Sequence, residues 1–219
     1  DWTSIQANVL ITGEIEASGQ DRIVFSVRVY DVRSEKFIFG RNFGGKKEFV
    51  RLIAHRASDE LMKYFGEKPV FTSKIVFVSE RSKTKELYMM DYDGKRMRRL
   101  TFNDYIDILP SWSADNEKVI YTSYKKNNPD LYIFHLYTGK IEMFATGKTN
   151  YGADWSREGD RVVYTSTRSG NAEIYVKEVK TGKEKRLTFN PAIGTTPCWS
   201  PSGREIVFTS QRGGTPQIY

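Results

Sequence analysis

Hydrophobic periodicity divides the chain into a short mixed segment and a long run of strands. Val9, Ile11, Gly13 and Ile15 alternate with other residues, as do Val24, Phe25, Val27 and Val29 less regularly. This pattern predicts strands over 5–17, 22–33 and 36–43. From Lys46 to Phe65 the period changes: Val50, Ile53, Ala54, Ala57, Leu61, Tyr64 and Phe65 fall at helical spacing, with Arg51, Arg56, Asp59, Glu60 and Lys63 mostly opposite. Gly66 stands where a helix-ending glycine belongs. The expectation is an amphipathic helix on a small sheet. One helix and three strands make a small core, so part of that domain is expected to lie upstream.

Beyond residue 70 a four-part phrase repeats. K-I-V-F-V-S-E-R-S, E-L-Y-M-M-D-Y-D-G, R-R-L-T-F-N and P-S-W-S-A-D recur with variation in the next two units. Trp112, Trp155 and Trp199 are 43 and 44 residues apart, and Tyr88, Tyr132, Tyr175 and Tyr219 are 44, 43 and 44 apart. Each unit holds β runs such as Lys74–Ser79, Glu86–Asp91 and Arg98–Thr101, plus a short run entering the W-S pair. Turn pairs such as Asp93-Gly94, Thr138-Gly139 and Thr181-Gly182 separate the runs. Four short antiparallel strands at this period predict a β-propeller, because one such sheet cannot bury both faces without stacked neighbours. The Trp and Tyr columns then read as core between blades. The W-S column is assigned to the innermost strand, and the segment before it to one mouth of the central channel.

The fold class expected is mainly β with a small α/β domain: an N-terminal α/β domain over 1–68, then a partial propeller over 69–219. Its repeats run at about 71–105, 106–147, 148–193 and 194–219, the last stopping within its second strand. No apolar run approaches the roughly 20 residues of a membrane-crossing helix. Net charge is +7; residues 1–70 hold eleven Lys/Arg and ten Asp/Glu, so +6 of it falls in the blade region. One cysteine, Cys198, excludes an internal disulfide and a Cys-based zinc site, and as a buried thiol it reads as a small hydrophobe.

These residues carry a resemblance. The L-I-T-G-E-I strand at Leu10–Ile15, V-Y-D-V-R at Val29–Arg33, the R-L-I-A-H-R-A-S-D-E helix at Arg51–Glu60 and the blade phrases resemble the TolB family of the bacterial Tol–Pal envelope system. The blade phrases are shared with oligopeptidase propellers; the helix followed by F-G-E-K and the first blade is more specific. The resemblance implies a six-bladed propeller behind a small α/β domain, a periplasmic location and no catalysis. It implies two partners, the lipoprotein Pal at the propeller mouth and TolA through an N-terminal segment expected upstream of residue 1, with other outer-membrane proteins as further candidates. By the same measure the chain is expected to be cut at both ends.

Candidate chemistry is sparse. There is no G-x-S-x-G, and neither His55, in the helix, nor His135, in a blade strand, has the partners of a catalytic triad. Asp91–Gly94 opens like a calcium loop, but its twelfth position is Phe102 rather than glutamate. Asp107 and Asp154 both precede a W-S pair and are weighed as channel cation ligands; no metal and no cofactor is expected. The basic clusters Lys95, Arg96, Arg98, Arg99 and Lys177, Lys180, Lys183, Lys185, Arg186 read as a solvated rim on outer hairpins. Nucleic-acid binding is disfavoured, because no stacking aromatics interleave with these lysines. The loops entering the inner strands, at Asp107–Pro110, Thr149–Ala153 and Gly194–Pro197, differ from the hairpins. Asp107, Thr149, Asn150, Tyr151, Thr195 and Thr196 offer short polar or aromatic groups suited to a protein contact. Pro110, Gly152, Gly194 and Pro197 read as turn and packing residues. Two readings compete with a scaffold: the propeller of a serine oligopeptidase, and a carbohydrate- or metal-binding propeller.

Overall fold

A computed structural model describes residues 2–219; residue 1, where the first expected domain opens, lies outside the described residues. The chain forms two compact units: residues up to Lys74 together with Asp91–Lys95, and Ile75–Met90 together with Arg96–Tyr219.

In the first unit a 3-10 turn at Thr3–Ile5 precedes β1 (Val9–Ala17), β2 (Arg22–Asp31) and β3 (Lys36–Lys46), an antiparallel meander in that order. Ile5 is therefore not in a strand as expected. Gln6 adopts a left-handed φ of 58° and turns the chain before β1. β2 stops at Asp31, whose carboxylate accepts the Ser34 N–H at 2.7 Å and closes the turn. β3 runs three residues further than its sequence suggests because glycines can pair there. A side chain at Gly45 would sit 2.9 Å from Ile53 Cδ1, so the bare backbone lets the helix approach.

That helix, α1 (Val50–Tyr64), packs on β2 and β3 and buries Ile53 and Ala57 with Ile23, Val27 and Val29. Val50, Ala54, Tyr64 and Phe65 of the expected stripe stay exposed. The helix ends as expected: Gly66 takes φ 79°, and the N–H groups of Gly66 and Glu67 return to the carbonyls of Lys63 and Met62 at 3.1 and 2.8 Å. Asp59 is buried on α1, where its carboxylate accepts the N–H groups of Phe71 (2.8 Å) and Thr72 (3.0 Å) and the Thr72 hydroxyl (2.5 Å). Arg51 bonds Asp91 and Asp93, and His55 Nε2 lies 3.3 Å from Asp93.

The second unit is four consecutive antiparallel sheets. They are β4 (Lys74–Ser79), β5 (Glu86–Asp91) and β6 (Arg98–Arg99); then β7 (Asp107–Trp112), β8 (Lys118–Ser123), β9 (Asp130–His135) and β10 (Ile141–Ala145). Next come β11 (Asn150–Trp155), β12 (Arg161–Ser166), β13 (Glu173–Glu178) and β14 (Glu184–Arg186), and finally β15 (Gly194–Trp199), β16 (Ile206–Ser210) and β17 (Gln217–Ile218). The last sheet holds three strands rather than two, because the W-S run opens its own sheet instead of closing the one before. β11 lies beside both β7 and β15, which makes the Trp-bearing strands the innermost.

Two apolar layers sit between blades. Leu87, Met89 and Leu100 meet Val119, Tyr121, Tyr132 and Phe134, and Ile120, Leu131, Ile133 and Ala145 meet Trp155, Val162, Tyr164 and Tyr175. The repeated aromatics are only partly the core expected. Tyr88, Tyr132, Tyr175 and Trp155 are buried, Trp112 and Trp199 are half-buried, and Tyr219 is exposed. Among the described residues no further blade covers the last sheet.

Candidate functional site

Consecutive antiparallel strands alternate direction, so the start of each inner strand and the hairpin between the second and third strands lie at one end of a sheet. That end carries the loops singled out in the sequence. Each inner strand breaks register soon after it begins, between Ile108 and Ser111, Tyr151 and Asp154, and Thr195 and Cys198. One residue in each bulge has a left-handed φ: Leu109 (53°), Gly152 (60°) and Thr196 (49°). Glycine suits position 152 because of its left-handed backbone rather than for lack of room, since a Cβ there would make ordinary contacts with Thr196 at 3.4 and 3.5 Å. Leu109 and the β-branched Thr196 pay strain in this region, and such strain concentrates at functional sites. The Gly152 and Thr196 N–H groups donate to the hydroxyls of Thr122 (3.3 Å) and Thr165 (3.0 Å) on the preceding sheets, which locks the bulges between blades.

The six sequence-derived site residues divide by depth. Asp107 and Asn150 open β7 and β11 and are fully buried. Their N–H groups bond the carbonyls of Lys85 and Pro129, both at 2.8 Å, tying each strand start to the previous blade. Thr149, Tyr151 and Thr195 are half-buried, and Thr196 is exposed. Burial, and then the neighbouring Tyr124, pushes the Tyr151 phenol above its ordinary range. A partner at this end would meet Leu109, Tyr151, Thr195 and Thr196 before Asp107 or Asn150.

The charge of this end was not visible in the sequence. Arg81, Lys83 and Lys85 lie on the first hairpin, Lys125 and Lys126 on the second, Arg168 and Arg212 on the next two, and Lys148 precedes β11. Only Glu80 and Asp104 oppose them in the same loops. These charges arrive one to three per loop, so no run announces them. Phe102 and Phe189, each 75% exposed, stand in the loops after the outer strands with Arg99 and Arg186 guanidinium groups stacked 4.9 and 4.6 Å from their rings.

The same two arginines correct the rim reading of the basic clusters. Arg186 Nη2 donates to buried Glu173 at 2.8 Å and Arg99 Nη2 to buried Glu86 at 2.7 Å. The hydroxyls of Thr188 and Thr101 and the N–H groups of Asn190 (3.0 Å) and Asn103 (2.9 Å) complete each clamp. The R-L-T-F-N phrase is thus a carboxylate clamp, and its signal was a glutamate 13 residues before the arginine. Lys177 also turns inward, donating to the Phe144 carbonyl at 2.7 Å over the Phe144 ring.

Asp107 and Asp154 do not pair as channel ligands. Asp154 occupies the repeat column of Ser111 and Cys198, four positions along the strand from that of Asp107 and Asn150. Its oxygens accept the Ser111 hydroxyl and the Trp199 N–H, both at 2.9 Å, stitching β7, β11 and β15 together. Cys198 is exposed rather than buried, because its side chain leaves the inner strand beside Asp154 with no blade over it. Partial burial and the Asp154 charge push its thiol above the ordinary range, which disfavours the reactive thiolate.

Two four-stranded antiparallel sheets flanked by two of three strands, in register every 43–44 residues and with β7, β11 and β15 side by side, define an array of β-propeller blades. Residues 62–219 match the TolB beta propeller domain, and the chain belongs to that family. It is 36% identical over 146 residues to the Tol-Pal system protein TolB of Desulfosudis oleivorans, covering 66% of this chain and 33% of that protein. Against the Cereibacter sphaeroides protein of the same name it is 37% identical over 139 residues, 61% of this chain and 31% of the other. The chain therefore spans about a third of the length of these relatives. The crystal structure of TolB from Acinetobacter baumannii superposes with a TM-score of 0.87 at 27% identity, over all of this chain and 56% of that one.

Proposed function

We propose that this chain is the N-terminal and early-blade portion of a non-enzymatic periplasmic scaffold of the Tol–Pal system. Its inner-strand end binds the peptidoglycan-associated lipoprotein Pal. The first unit communicates with TolA through a segment upstream of residue 1, and outer-membrane integrity during division depends on the link. The observation that carries this reading is the bulged inner-strand end, where Leu109 and Thr196 hold left-handed backbones beside half-buried Tyr151. Preorganised loops spend less entropy on binding, and the basic hairpins around them steer an acidic partner over a distance set by salt. Coupling between the two partners must be reciprocal: whatever TolA does to Pal affinity, Pal does to TolA affinity.

Calorimetry of the full-length protein with Pal tests the assignment. Substituting Tyr151, Thr195 and Thr196 together with alanine should weaken binding at least about tenfold, equivalent to about 1.4 kcal/mol. Unchanged affinity removes this end from the account. The oligopeptidase reading finds less support, because the family match runs through the blades and the end of α1.

A further inference from the structure

Each R-L-T-F-N phrase holds a phenylalanine out in solvent. In the first blade Arg99 Nε donates to the Thr101 carbonyl at 2.6 Å and Nη2 to buried Glu86 at 2.7 Å, which fixes the guanidinium. The Phe102 ring is stacked on that fixed group and is otherwise exposed. The third blade repeats the arrangement: Arg186 Nε donates to the Thr188 carbonyl at 2.7 Å, Nη2 to buried Glu173 at 2.8 Å, and Phe189 is stacked on the guanidinium. A ring seated on a clamped guanidinium is presented, not loose. In the second blade Gly147 stands at the phenylalanine position, followed by Lys148 where the flanking blades have Asn103 and Asn190.

The rings have company at the same end of the sheets. Tyr105, Ile106, Leu109 and Ile193 are exposed in or beside the starts of β7 and β15. Arg81, Lys83, Lys85, Lys125, Lys126 and Lys148 are exposed in the loops around them. Among the described residues the side chains of Lys83, Lys125, Lys126 and Lys148 have no ion-pair or hydrogen-bond partner, and Lys85 reaches only exposed Glu80, at 3.7 Å. Arg168 and Arg212 fold back over the rings of Tyr175 and Tyr219, at 4.8 and 4.7 Å, and add little to this surface. Unpaired ammonium groups on long stems beside exposed rings are the chemistry of a bilayer interface: the rings sit at the boundary of headgroups and acyl chains, and the cations reach the phosphates. A protein partner would need a separate pocket for each ring, whereas a fluid bilayer accommodates rings that arrive on separate blades.

We propose that the inner-strand end of the second unit docks on the surface of an anionic lipid bilayer. Phe102 and Phe189 enter the headgroup boundary, and Lys83, Lys125, Lys126 and Lys148 meet the lipid phosphates. Each lysine held near an anionic surface strengthens binding about fivefold, and the effect fades beyond a Debye length. No helix among the described residues is long and apolar enough to cross a membrane, so the contact is peripheral. The bulges at Tyr151 and Thr196 take no part, and the proposal stands or falls independently of Pal binding.

The test is co-sedimentation of the intact chain with vesicles of phosphatidylcholine alone and of phosphatidylcholine with phosphatidylglycerol, at low and high salt. Binding should require phosphatidylglycerol and fall at least about tenfold as salt rises. Phe102→Ser with Phe189→Ser should weaken it at least about tenfold and leave its salt dependence in place, because the apolar contact is lost and the charge is not. Lys125→Gln with Lys126→Gln should weaken it at least about tenfold and flatten the salt dependence. Thermal unfolding of each pair checks the fold; if the serine pair does not fold, the glutamine pair, on an exposed hairpin, carries the test. No binding to phosphatidylglycerol vesicles, equal binding to both vesicle types, or undiminished binding by the folded variants overturns the proposal. So does binding to soluble polyglutamate with none to vesicles, which would assign the surface to an acidic protein.

Discussion

Replacing Arg186 with methionine should remove the one cation that holds a buried glutamate in the third blade. Glu173 is 1% exposed and accepts from Arg186, the Thr188 hydroxyl and the Asn190 N–H. Without Arg186 its charge is left with two neutral donors. Breaking a buried ion pair from one side costs about 3–5 kcal/mol. The Arg186 side chain is 28% exposed, so water offsets part of the loss and about 3 kcal/mol is expected. For a chain of this size that is a fall of roughly 6–12 °C in unfolding temperature. Adding Glu173→Gln to the variant should restore about 2 kcal/mol, because the amide oxygen still accepts from its neighbours and no buried charge remains. Urea unfolding followed by tryptophan fluorescence and by circular dichroism measures both, provided the two transitions coincide. A single variant that loses less than about 1 kcal/mol, or a double variant no better than the single, refutes the clamp.

Two other perturbations probe the first unit and the bulges. Burial alone would raise the Asp59 carboxyl, but the hydrogen bonds from Thr72 and Phe71 outweigh it and hold the group below its ordinary 3.8. Its contribution is therefore present at neutral pH and lost as the pH falls through the native value. Asp59→Asn should cost about 1–2 kcal/mol at pH 7, and its deficit against the parent should shrink below about pH 4; a constant deficit down to pH 2 rejects the carboxylate's role. Thr196→Gly relieves a left-handed threonine and should stabilise the chain by up to about 1 kcal/mol while weakening Pal binding. Destabilisation would mean that Thr196 carries no backbone strain.

The fold was legible wherever local pattern and tertiary packing agreed. The 43–44-residue columns placed the inner strands, and Gly66 marked the end of α1, because each reports a constraint that one residue satisfies alone. The site was legible less evenly. Asp107 and Asn150 looked like surface groups, because a strand's first residue reads as a loop until the previous blade is laid across it. Arg99 and Arg186 looked like rim charges because their glutamates lie on another strand 13 residues away, a spacing with no local meaning. Cys198 carried the opposite error: its repeat column holds Ser111 and Asp154, a polar pattern that does not predict burial of a thiol. The basic hairpins escaped notice because composition along the chain cannot sum charges that only the sheet brings to one end.

Hydrogen exchange of the full-length protein, with and without Pal, tests the central claim most directly. The account predicts slowed exchange at 107–111, 149–153 and 194–198 and at the hairpin 124–129, with the turns 113–117, 156–160 and 200–205 at the other end of the same sheets unchanged. Protection confined to those opposite turns would contradict it.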